Sequence, residues 1–448
     1  MKLDKTSVNA IPSACEILES GFARLPDFDP AISGADRMAA VLAEAALRLQ
    51  DNFPYFHPLY AGQMLKPPHP VAHAAYSLAM WINPNNHALD GGRASSAMEK
   101  EAVTEIAAMF GWSEYLAHLT GGGTMANLEA LWVASRLHPG RKVLASAQAH
   151  YTHERISGVL GIPFEKVSVD SQGRMDMAAL ESNLAGGDVG TVVATLGTTG
   201  LGAVDPLPPI LALREKYGFR VHVDAAYGGY FRLASNLAAP ATAAFARITE
   251  ADSIVVDPHK HGLQPYGCGC ILFRDPGTGV LYKHDSPYTY FSSKVLHLGE
   301  ISLECSRPGA AAVALWATQR LLPLERGGEF ASGLEASRRA ALRLADLLST
   351  DDRFVVPTVP ELDIVVWAVR AGSASEASVK SQQIFDRAAK EDLHLALIQL
   401  PVEFFTDCWP ELVKDRPTVL CLRSVLMKPE HLAWLDRIYA GISAAYSD

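Results

Sequence analysis

One lysine in the sequence stands where a covalent link to a ligand is expected. A short β-branched run at residues 253–256 is followed by Asp257-Pro258, and then by His259 and Lys260 in a predicted turn. A lysine after a strand is usually an ordinary solvated side chain. At the end of a sheet strand it can instead act as a nucleophile that forms a Schiff base with a carbonyl compound. Lys260 is therefore the first candidate catalytic residue.

An upstream aspartate supplies the second part of that chemistry. Residues 220–224 predict a buried strand that ends on Asp224 at the carboxyl edge of a parallel sheet, where ligands bind. Alone, such an aspartate could equally cap a helix or bind a metal. Paired with Lys260, it fits pyridoxal phosphate (PLP), which takes a lysine Schiff base and a carboxylate that keeps its ring nitrogen protonated. The two residues together predict PLP as the cofactor.

A glycine-rich turn supplies an anion site. Residues 121–124, Gly-Gly-Gly-Thr, lead into an apolar stretch with helical spacing. The backbone N–H groups at such a helix start, with the positive end of the helix dipole, suit a phosphate, so Gly123 and Thr124 are the candidate phosphate ligands. Similar turns open dinucleotide-binding folds, but the strand followed by GxGxxG and a downstream acidic residue is absent from this sequence.

Four motifs occur together in the chain: DAAYGG at 224–229, DPHK at 257–260, Ala149-His150, and TLGTTG at 195–200. In combination they resemble the group II PLP-dependent amino-acid decarboxylases, the family of aromatic amino-acid, glutamate and tyrosine decarboxylases. The resemblance runs from about Pro54 to Arg423. It implies an α/β architecture of fold type I (aspartate-aminotransferase-like), with a mainly parallel central sheet in a large domain and a small α/β C-terminal domain. It also implies a homodimer with shared active sites.

The resemblance assigns further cofactor contacts. His150 is implied to stack on the pyridine ring and to offer a proton donor near the substrate α-carbon. Ala226 is implied to be small so that the other ring face lies flat, and His259 to contact the phosphate. Thr199, with Thr198, is implied to contact the cofactor's hydroxyl side or the substrate. Each has a plainer alternative, because a histidine is often a structural hydrogen-bonding group and a strand-end threonine is often packing.

Arg423 is the implied substrate ligand. It lies on the last predicted strand, residues 418–424, at the position where the family carries the arginine that binds the substrate carboxylate. A planar guanidinium suits a carboxylate because two N–H groups donate in parallel. The alternative is a buried ion pair with Glu or Asp, in which case Arg307 is the next candidate for the substrate.

These residues predict decarboxylation of an L-amino acid to its amine and carbon dioxide. Three alternatives remain. A PLP-dependent carbon–carbon lyase resembling the sphingosine-phosphate lyases shares the SRPG motif at 306–309. An aldehyde synthase would follow if the family's protonating tyrosine, for which Tyr288 and Tyr290 are candidates, is displaced. The third is a catalytically inactive binding homologue. The identity of the amino acid is left open.

The elements that must hold these residues divide the chain into three parts. Residues 1–93 form an N-terminal segment with an amphipathic helix at 34–50 and a proline-rich stretch at 53–70. By the resemblance it wraps the partner subunit and helps line its pocket. Residues 94–325 alternate strands and helices as a large PLP-binding domain does, and residues 326–448 form a small C-terminal domain. The pocket candidates in the mixed apolar and polar lining are His57, Tyr60, Gln63, Asn85, Asn86, His87, Leu89 and Phe291.

Composition narrows the partners. The 448 residues include 39 Lys plus Arg against 49 Asp plus Glu, and this net charge of −10 disfavours nucleic acid and anionic membranes. No apolar run reaches the roughly 20 residues of a membrane span, and the N-terminus has no signal-peptide pattern, so a cytoplasmic protein is expected. The six cysteines show no disulfide framework. His150 and His153 lack a completing ligand set, so no metal is expected.

Overall fold

The computed structural model describes residues 5–28, 33–87, 91–283 and 302–447. Leu89, Tyr288, Tyr290 and Phe291 lie outside these ranges, so their predicted roles stay predictions. Within the described ranges, no helix is both long and apolar enough to cross a bilayer.

The described residues of the N-terminal segment form the helices α1 (Thr6–Ser20), α2 (Ala35–Leu49) and α3 (Pro70–Met80). Helix α3 begins at a proline, whose fixed φ and missing N–H suit the first turn. Every residue of α2 is exposed, including its apolar stripe. A lone helix of this length is marginal in water, so α2 lacks the packing that would normally stabilise it.

The large domain alternates helices and strands from residue 93 onward. Its elements are α4 (Arg93–Phe110), β1 (Leu116–Thr120), α5 (Gly123–Leu137), β2 (Lys142–Ser146), α6 (Thr152–Leu160), β3 (Phe164–Val167), α7 (Met177–Leu184), β4 (Val189–Thr195), α8 (Leu207–Tyr217), β5 (Arg220–Asp224), α9 (Ala239–Ala246), β6 (Ser253–Val256), β7 (Gly269–Phe273) and α10 (Gly309–Leu321). Strands β4, β6 and β7 are buried on both faces, as expected for a sheet covered by helices on each side.

The seven strands form one sheet in the order β1-β7-β6-β5-β4-β2-β3. Strands β6, β5, β4, β2 and β3 are parallel, whereas β7 is antiparallel to both of its neighbours, β1 and β6. Strand β1 therefore runs in the same direction as β6. As a result, the carboxyl ends of β1, β4, β5 and β6 meet at one edge of the sheet, which is where an open α/β sheet places its ligand.

The small domain packs helices on a second sheet. Its elements are α11 (Glu329–Ser349), β8 (Phe354–Val355), β9 (Ile364–Val369), α12 (Ala374–Lys390), β10 (Ala396–Pro401), β11 (Thr418–Val425) and α13 (His431–Ser447). The strand order is β10-β11-β9-β8, and all neighbouring pairs are antiparallel. Arg423 lies on the central strand β11, paired with Ala396 and Val366.

Candidate active site

A cavity of about 470 Å³ opens at the carboxyl edge of the large sheet. Its walls come from the loop after β1, the start of α6, the ends of β4 and β5, and the turn after β6. Of the residues singled out from the sequence, the cavity is lined by Gly123, Thr124, His150, Thr199, Asp224, Ala226, His259 and Lys260. Arg423 is not on its wall.

Lys260 lies at one side of this cavity in an ion pair. Its Nζ is 3.0 Å from Oδ2 of Asp257, whose side chain is only 3% exposed. The other carboxylate oxygen, Oδ1, has no hydrogen-bond partner among the described residues. A lysine held at a fixed point over a cavity is suited to attack a carbonyl carbon there.

Asp224 faces Lys260's cavity from the end of β5 and is held by three donors. Oδ1 accepts the Ala226 N–H at 3.0 Å, and Oδ2 accepts from Nε2 of His153 at 2.8 Å and from Nδ2 of Asn127 at 3.4 Å. Burial alone would raise the pKa of Asp224, but the hydrogen bond and charge of His153, the Ala226 N–H and the Lys260 charge hold it well below its ordinary value. Asp224 is therefore anionic.

A histidine behind Asn127 fixes the direction of that amide. Nε2 of His222 is 2.8 Å from Oδ1 of Asn127, and its Nδ1 is 2.9 Å from Oγ of Ser253. Burial lowers the pKa of His222 to about 3, so the ring is neutral and carries one proton. An amide oxygen only accepts, so that proton is on Nε2. Nδ2 of Asn127 is then the group that points at Asp224.

The start of α5 forms a cradle against the lysine turn. Gly122 precedes the helix with φ 146°, a conformation that side chains rarely adopt, and no side chain caps the helix. A Cβ on Gly123 would lie 2.7 Å from Oδ2 of Asp257, and one on Gly122 would lie 3.3 Å from the His259 ring. Only glycine permits this approach, which leaves backbone N–H groups facing the cavity as an anion site.

The two cavity histidines are neutral, and their tautomers follow from their partners. Nδ1 of His150 accepts the backbone N–H of Thr152 at 3.2 Å, so its proton is on Nε2. Nδ1 of His259 is 2.8 Å from the carbonyl oxygen of Cys268 and therefore donates. Burial lowers the pKa of both rings. His150 can thus present an N–H donor to the cavity, whereas Nε2 of His259 is an acceptor.

Arg423 lies behind the wall instead of on it. Its guanidinium donates to the carbonyl oxygens of Thr199 at 2.5 Å and Gly200 at 3.0 Å, and to Oε1 of Gln63 at 3.1 Å. The residue is 4% exposed, and among the described residues no Asp or Glu forms an ion pair with it. Burial lowers its pKa. The ion pair weighed as the alternative is thus not found in the described part of the chain.

Arg307, the second candidate for the substrate carboxylate, has a structural environment. Its Nη1 donates to Oε1 of Glu99 at 2.7 Å and to the Leu119 carbonyl, and Nη2 donates to the Asn86 carbonyl. The hydrogen bonds and charge of Arg307 lower the pKa of Glu99 against the opposing effect of burial. This buried pair connects the loop after α3 to β1. Because its guanidinium already binds these groups of the protein, Arg307 is not positioned to bind a substrate carboxylate.

Among the described residues, the N-terminal pocket candidates do not line the cavity of their own chain. The backbone oxygen of Tyr60 accepts from Nζ of Lys428, the His57 ring packs edge-on against Trp434, and Asn86 donates to Glu99. Thr198 is likewise directed inward, where its Oγ1 accepts the Ala203 N–H. Each of these residues has a structural partner within the chain.

Sequence reasoning assigned no role at the cofactor site to several residues around the cavity: Asn127, His153, His222, Asp257 and Glu304, whose Oε2 accepts the Gly121 N–H. The spacing of His150 and His153, one helical turn apart, is the feature of the sequence that could have identified His153. Among the described residues, no group of three or more His, Cys, Asp or Glu side chains is arranged to hold a metal ion.

Comparison with known proteins identifies the family. Residues 54–370 match the family described as the pyridoxal-dependent decarboxylase conserved domain. The chain belongs to this family. Among curated relatives of this decarboxylase, it is 27% identical to the L-tyrosine decarboxylase of Enterococcus faecium, over 86% of this chain and 80% of that protein. It is 31% identical to a probable L-tyrosine/L-aspartate decarboxylase of Methanospirillum hungatei, over 61% of this chain and 70% of that protein.

Solved structures support the same fold for the decarboxylase. Oryza sativa TDC with PLP and tryptamine superposes with a TM-score of 0.79 at 18% identity, covering 100% of this chain and 99% of that one. The 4-hydroxyphenylacetaldehyde synthase of Rhodiola rosea superposes with a TM-score of 0.77 at 16% identity, covering 99% of each chain. The predicted fold type I architecture is confirmed. The chain is an amino-acid decarboxylase that depends on PLP.

The residues present fit the cofactor. An anionic carboxylate at the end of β5, an uncapped glycine cradle at the start of α5 and a lysine between them border one cavity. These three groups match the ring nitrogen, the phosphate and the aldehyde of PLP in charge and chemistry.

Proposed function

We propose that this chain removes the α-carboxylate of an L-amino acid and releases the amine and carbon dioxide, with Lys260 as the Schiff-base lysine. The observation that carries the proposal is that Lys260, Asp224 and the start of α5 border a single cavity. PLP, when bound, supplies an electron sink for the electrons of the broken carbon–carboxylate bond.

The chain's own residues divide the work. Asp224 holds a proton on the ring nitrogen because its own pKa is far below its ordinary value. The backbone N–H groups at Gly123 and Thr124 bind the phosphate, assisted by the helix dipole. Nε2–H of His150 is a donor at the cavity, where it can stabilise charge that develops near the α-carbon or deliver a proton there.

Arg423 is proposed as the group that holds the substrate carboxylate. A guanidinium that is 4% exposed, with no carboxylate partner among the described residues, is an uncompensated buried charge. An incoming α-carboxylate would compensate it. Since Arg423 donates to the carbonyl oxygen of Thr199, which lines the cavity, a small shift of this loop would bring the two groups together.

The proposal is tested with the purified holoenzyme and a panel of the twenty amino acids. Carbon dioxide release and the amine product are both measured. Relatives named tyrosine and aspartate decarboxylases make L-tyrosine and L-aspartate the first substrates to assay. An amine formed in equal amount with carbon dioxide supports the proposal. An aldehyde in place of the amine identifies an aldehyde synthase, and cleavage without carbon dioxide identifies a carbon–carbon lyase; either result overturns it.

We also propose that the active unit is a homodimer. The argument is the apolar stripe of α2, where Met38, Val41 and Leu42 are more than half exposed and no element of the same chain covers them in the described residues. A second copy of the chain is the partner that would bury this stripe.

A further inference from the structure

We propose that His153 is a positioning residue that fixes the orientation and the charge of Asp224 beneath the cofactor's ring nitrogen. This inference rests on the proposed function of the site. It assigns to His153 a role toward the cofactor that it exerts only through Asp224.

The first support is the geometry of a single helical turn. His150 and His153 lie in the turn that opens α6, and the His153 N–H donates to the His150 carbonyl at 3.1 Å. His150 is on the cavity wall, whereas His153 has a side chain that is 0% exposed and places Nε2 at 2.8 Å from Asp224. Two histidines of one helical turn therefore reach the cofactor site: His150 directly, and His153 through the carboxylate of Asp224.

The second support is the pattern of donors on Asp224. The Ala226 N–H fixes Oδ1, and Oδ2 receives one short contact from His153 and one longer contact, 3.4 Å, from Asn127. His153 is thus the side chain that determines where Oδ2 points. A carboxylate rotated away from this position would no longer present a lone pair to a ring nitrogen above it.

The third support is an unpartnered atom. Because an ionised carboxylate only accepts, Nε2 of His153 must donate to it. Nδ1 of His153 is buried and has no hydrogen-bond partner among the described residues. Asp224 is therefore the only hydrogen-bond partner of the His153 ring among the described residues. His222, the neighbouring buried ring at 6.3 Å, is locked in one tautomer by Ser253 and Asn127. Of these two rings, His153 is the one that bonds to Asp224 directly.

The alternative is a purely structural role, in which His153 only provides a hydrogen bond to the buried carboxylate of Asp224. A purely structural role predicts that its loss lowers the stability of the protein and leaves cofactor affinity unchanged once the protein is folded. A positioning role predicts a loss of PLP affinity that disappears when Asp224 is no longer an anion.

The experiment measures the PLP dissociation constant by equilibrium dialysis in a double-mutant cycle. His153→Leu removes the donor and His153→Gln keeps an amide donor. His118→Gln is the control, because His118 is also buried and bound to a carboxylate, that of Glu129, but lies outside the cavity lining. A hydrogen bond to a charged group predicts that His153→Leu weakens PLP binding on the order of 10-fold.

We expect His153→Gln to recover most of that loss and His118→Gln to bind PLP within twofold of the wild type. In the Asp224→Asn background, His153→Leu should cause no further loss. If His153→Leu does not fold, His153→Asn, whose shorter amide does not reach Oδ2, replaces it in the cycle. An unchanged dissociation constant, or the same loss in the Asp224→Asn background, overturns the inference. Wild-type protein that binds no PLP would instead refute the proposed function.

Discussion

Lys260 and Asp257 form an ion pair within one turn of chain, with 3.0 Å between Nζ and Oδ2. The same turn is closed by a backbone hydrogen bond from the Lys260 N–H to the Asp257 carbonyl. The glycine cradle at the start of α5 packs directly on this carboxylate. One aspartate therefore links the lysine to the anion site and sets the distance between them.

Replacing Lys260 with alanine should abolish both the visible absorbance of the cofactor Schiff base and turnover. The reason is that the cavity wall in the described residues offers no other lysine. The measurement is absorbance of the reconstituted protein, followed by borohydride reduction and peptide mass analysis. Lys66→Met, at a lysine in a separate cavity, should retain the adduct. A reducible adduct in the Lys260→Ala protein would assign the Schiff base to a different lysine.

Gly123→Ala should weaken PLP binding by at least tenfold. The added Cβ would lie 2.7 Å from Oδ2 and 2.9 Å from Oδ1 of Asp257, so either the carboxylate or the helix start must move. Gly158→Ala in α6 is the matched control, because its Cβ meets nothing within 4 Å. It should stabilise the protein by about 0.5–1 kcal/mol and leave PLP affinity unchanged. Equal PLP affinities in the two variants would contradict the proposal that the glycine cradle at the start of α5 binds the phosphate.

Arg423→Lys keeps the charge and loses the planar fork. If Arg423 orients the scissile carboxylate, turnover should fall by about 30- to 1,000-fold, which corresponds to about 2–4 kcal/mol at the transition state, while PLP affinity is unchanged. Steady-state rates and PLP titration provide the two readouts. A variant that is less stable but fully active per folded molecule would make Arg423 a structural residue of the Thr199–Gly200 loop.

His431 should make the protein less stable in acid. Nδ1 accepts the Lys428 N–H, Nε2 is 3.3 Å from the Tyr60 carbonyl, and burial lowers the pKa to about 3. Between pH 6.5 and 3 the unfolded chain binds a proton there and the folded chain does not, so stability falls as pH falls, by about 1.4 kcal/mol per unit. His222 contributes in the same direction.

The check is urea unfolding at pH 7, 6 and 5 for the wild type and for His431→Gln. A glutamine side chain can accept and donate as the neutral ring does but does not titrate. The slope of unfolding free energy against pH should therefore be smaller in His431→Gln than in the wild type. The largest expected difference is about 1.4 kcal/mol per pH unit, which corresponds to one proton. Parallel slopes for the two proteins would show that His431 is not the titrating group.

Leu42→Glu should weaken the homodimer. It places a charge on the exposed apolar stripe of α2, whereas Ala40→Glu, on the opposite side of the helix, is the control and should leave association unchanged. Sedimentation of the wild type and both variants measures this. A monomeric, fully active wild type would refute the dimer.

The sequence predicted the elements whose patterns are local. The sequence pattern at 177–184 predicts a helix, and one is found at Met177–Leu184. The pattern before Gly111 also predicts a helix that ends at this glycine, and α4 does end there, because a glycine with φ 85° terminates it. The residues at 167–169 predict a strand, but the strand lies at Phe164–Val167, since Val169 only bridges to Met175. Strand β1 was not predicted, because a short buried run carries no periodicity of its own. Strand β10, which is only partly buried, was not predicted either.

The cavity residues were predictable where a motif encodes them and not where only tertiary contact does. Asp224 and Lys260 follow strands and are recognisable from sequence. The contacts that hold them, from His153 on α6 and Asn127 on α5, depend on which helix packs beside which strand end. The position of Arg423 behind Thr199 depends on how the two sheets meet, for which the sequence carries no local signal.

The placement of β7 also constrains the order in which the site can form. Among the described residues, β1, which leads into the anion cradle, pairs with β7 alone, a strand synthesised about 150 residues later in the chain. During synthesis on the ribosome, the emerging chain cannot lock the start of α5 beside the lysine turn until β7 has left the exit tunnel. Contacts this distant in sequence form slowly. We therefore expect PLP to bind late in folding, after the large sheet is complete.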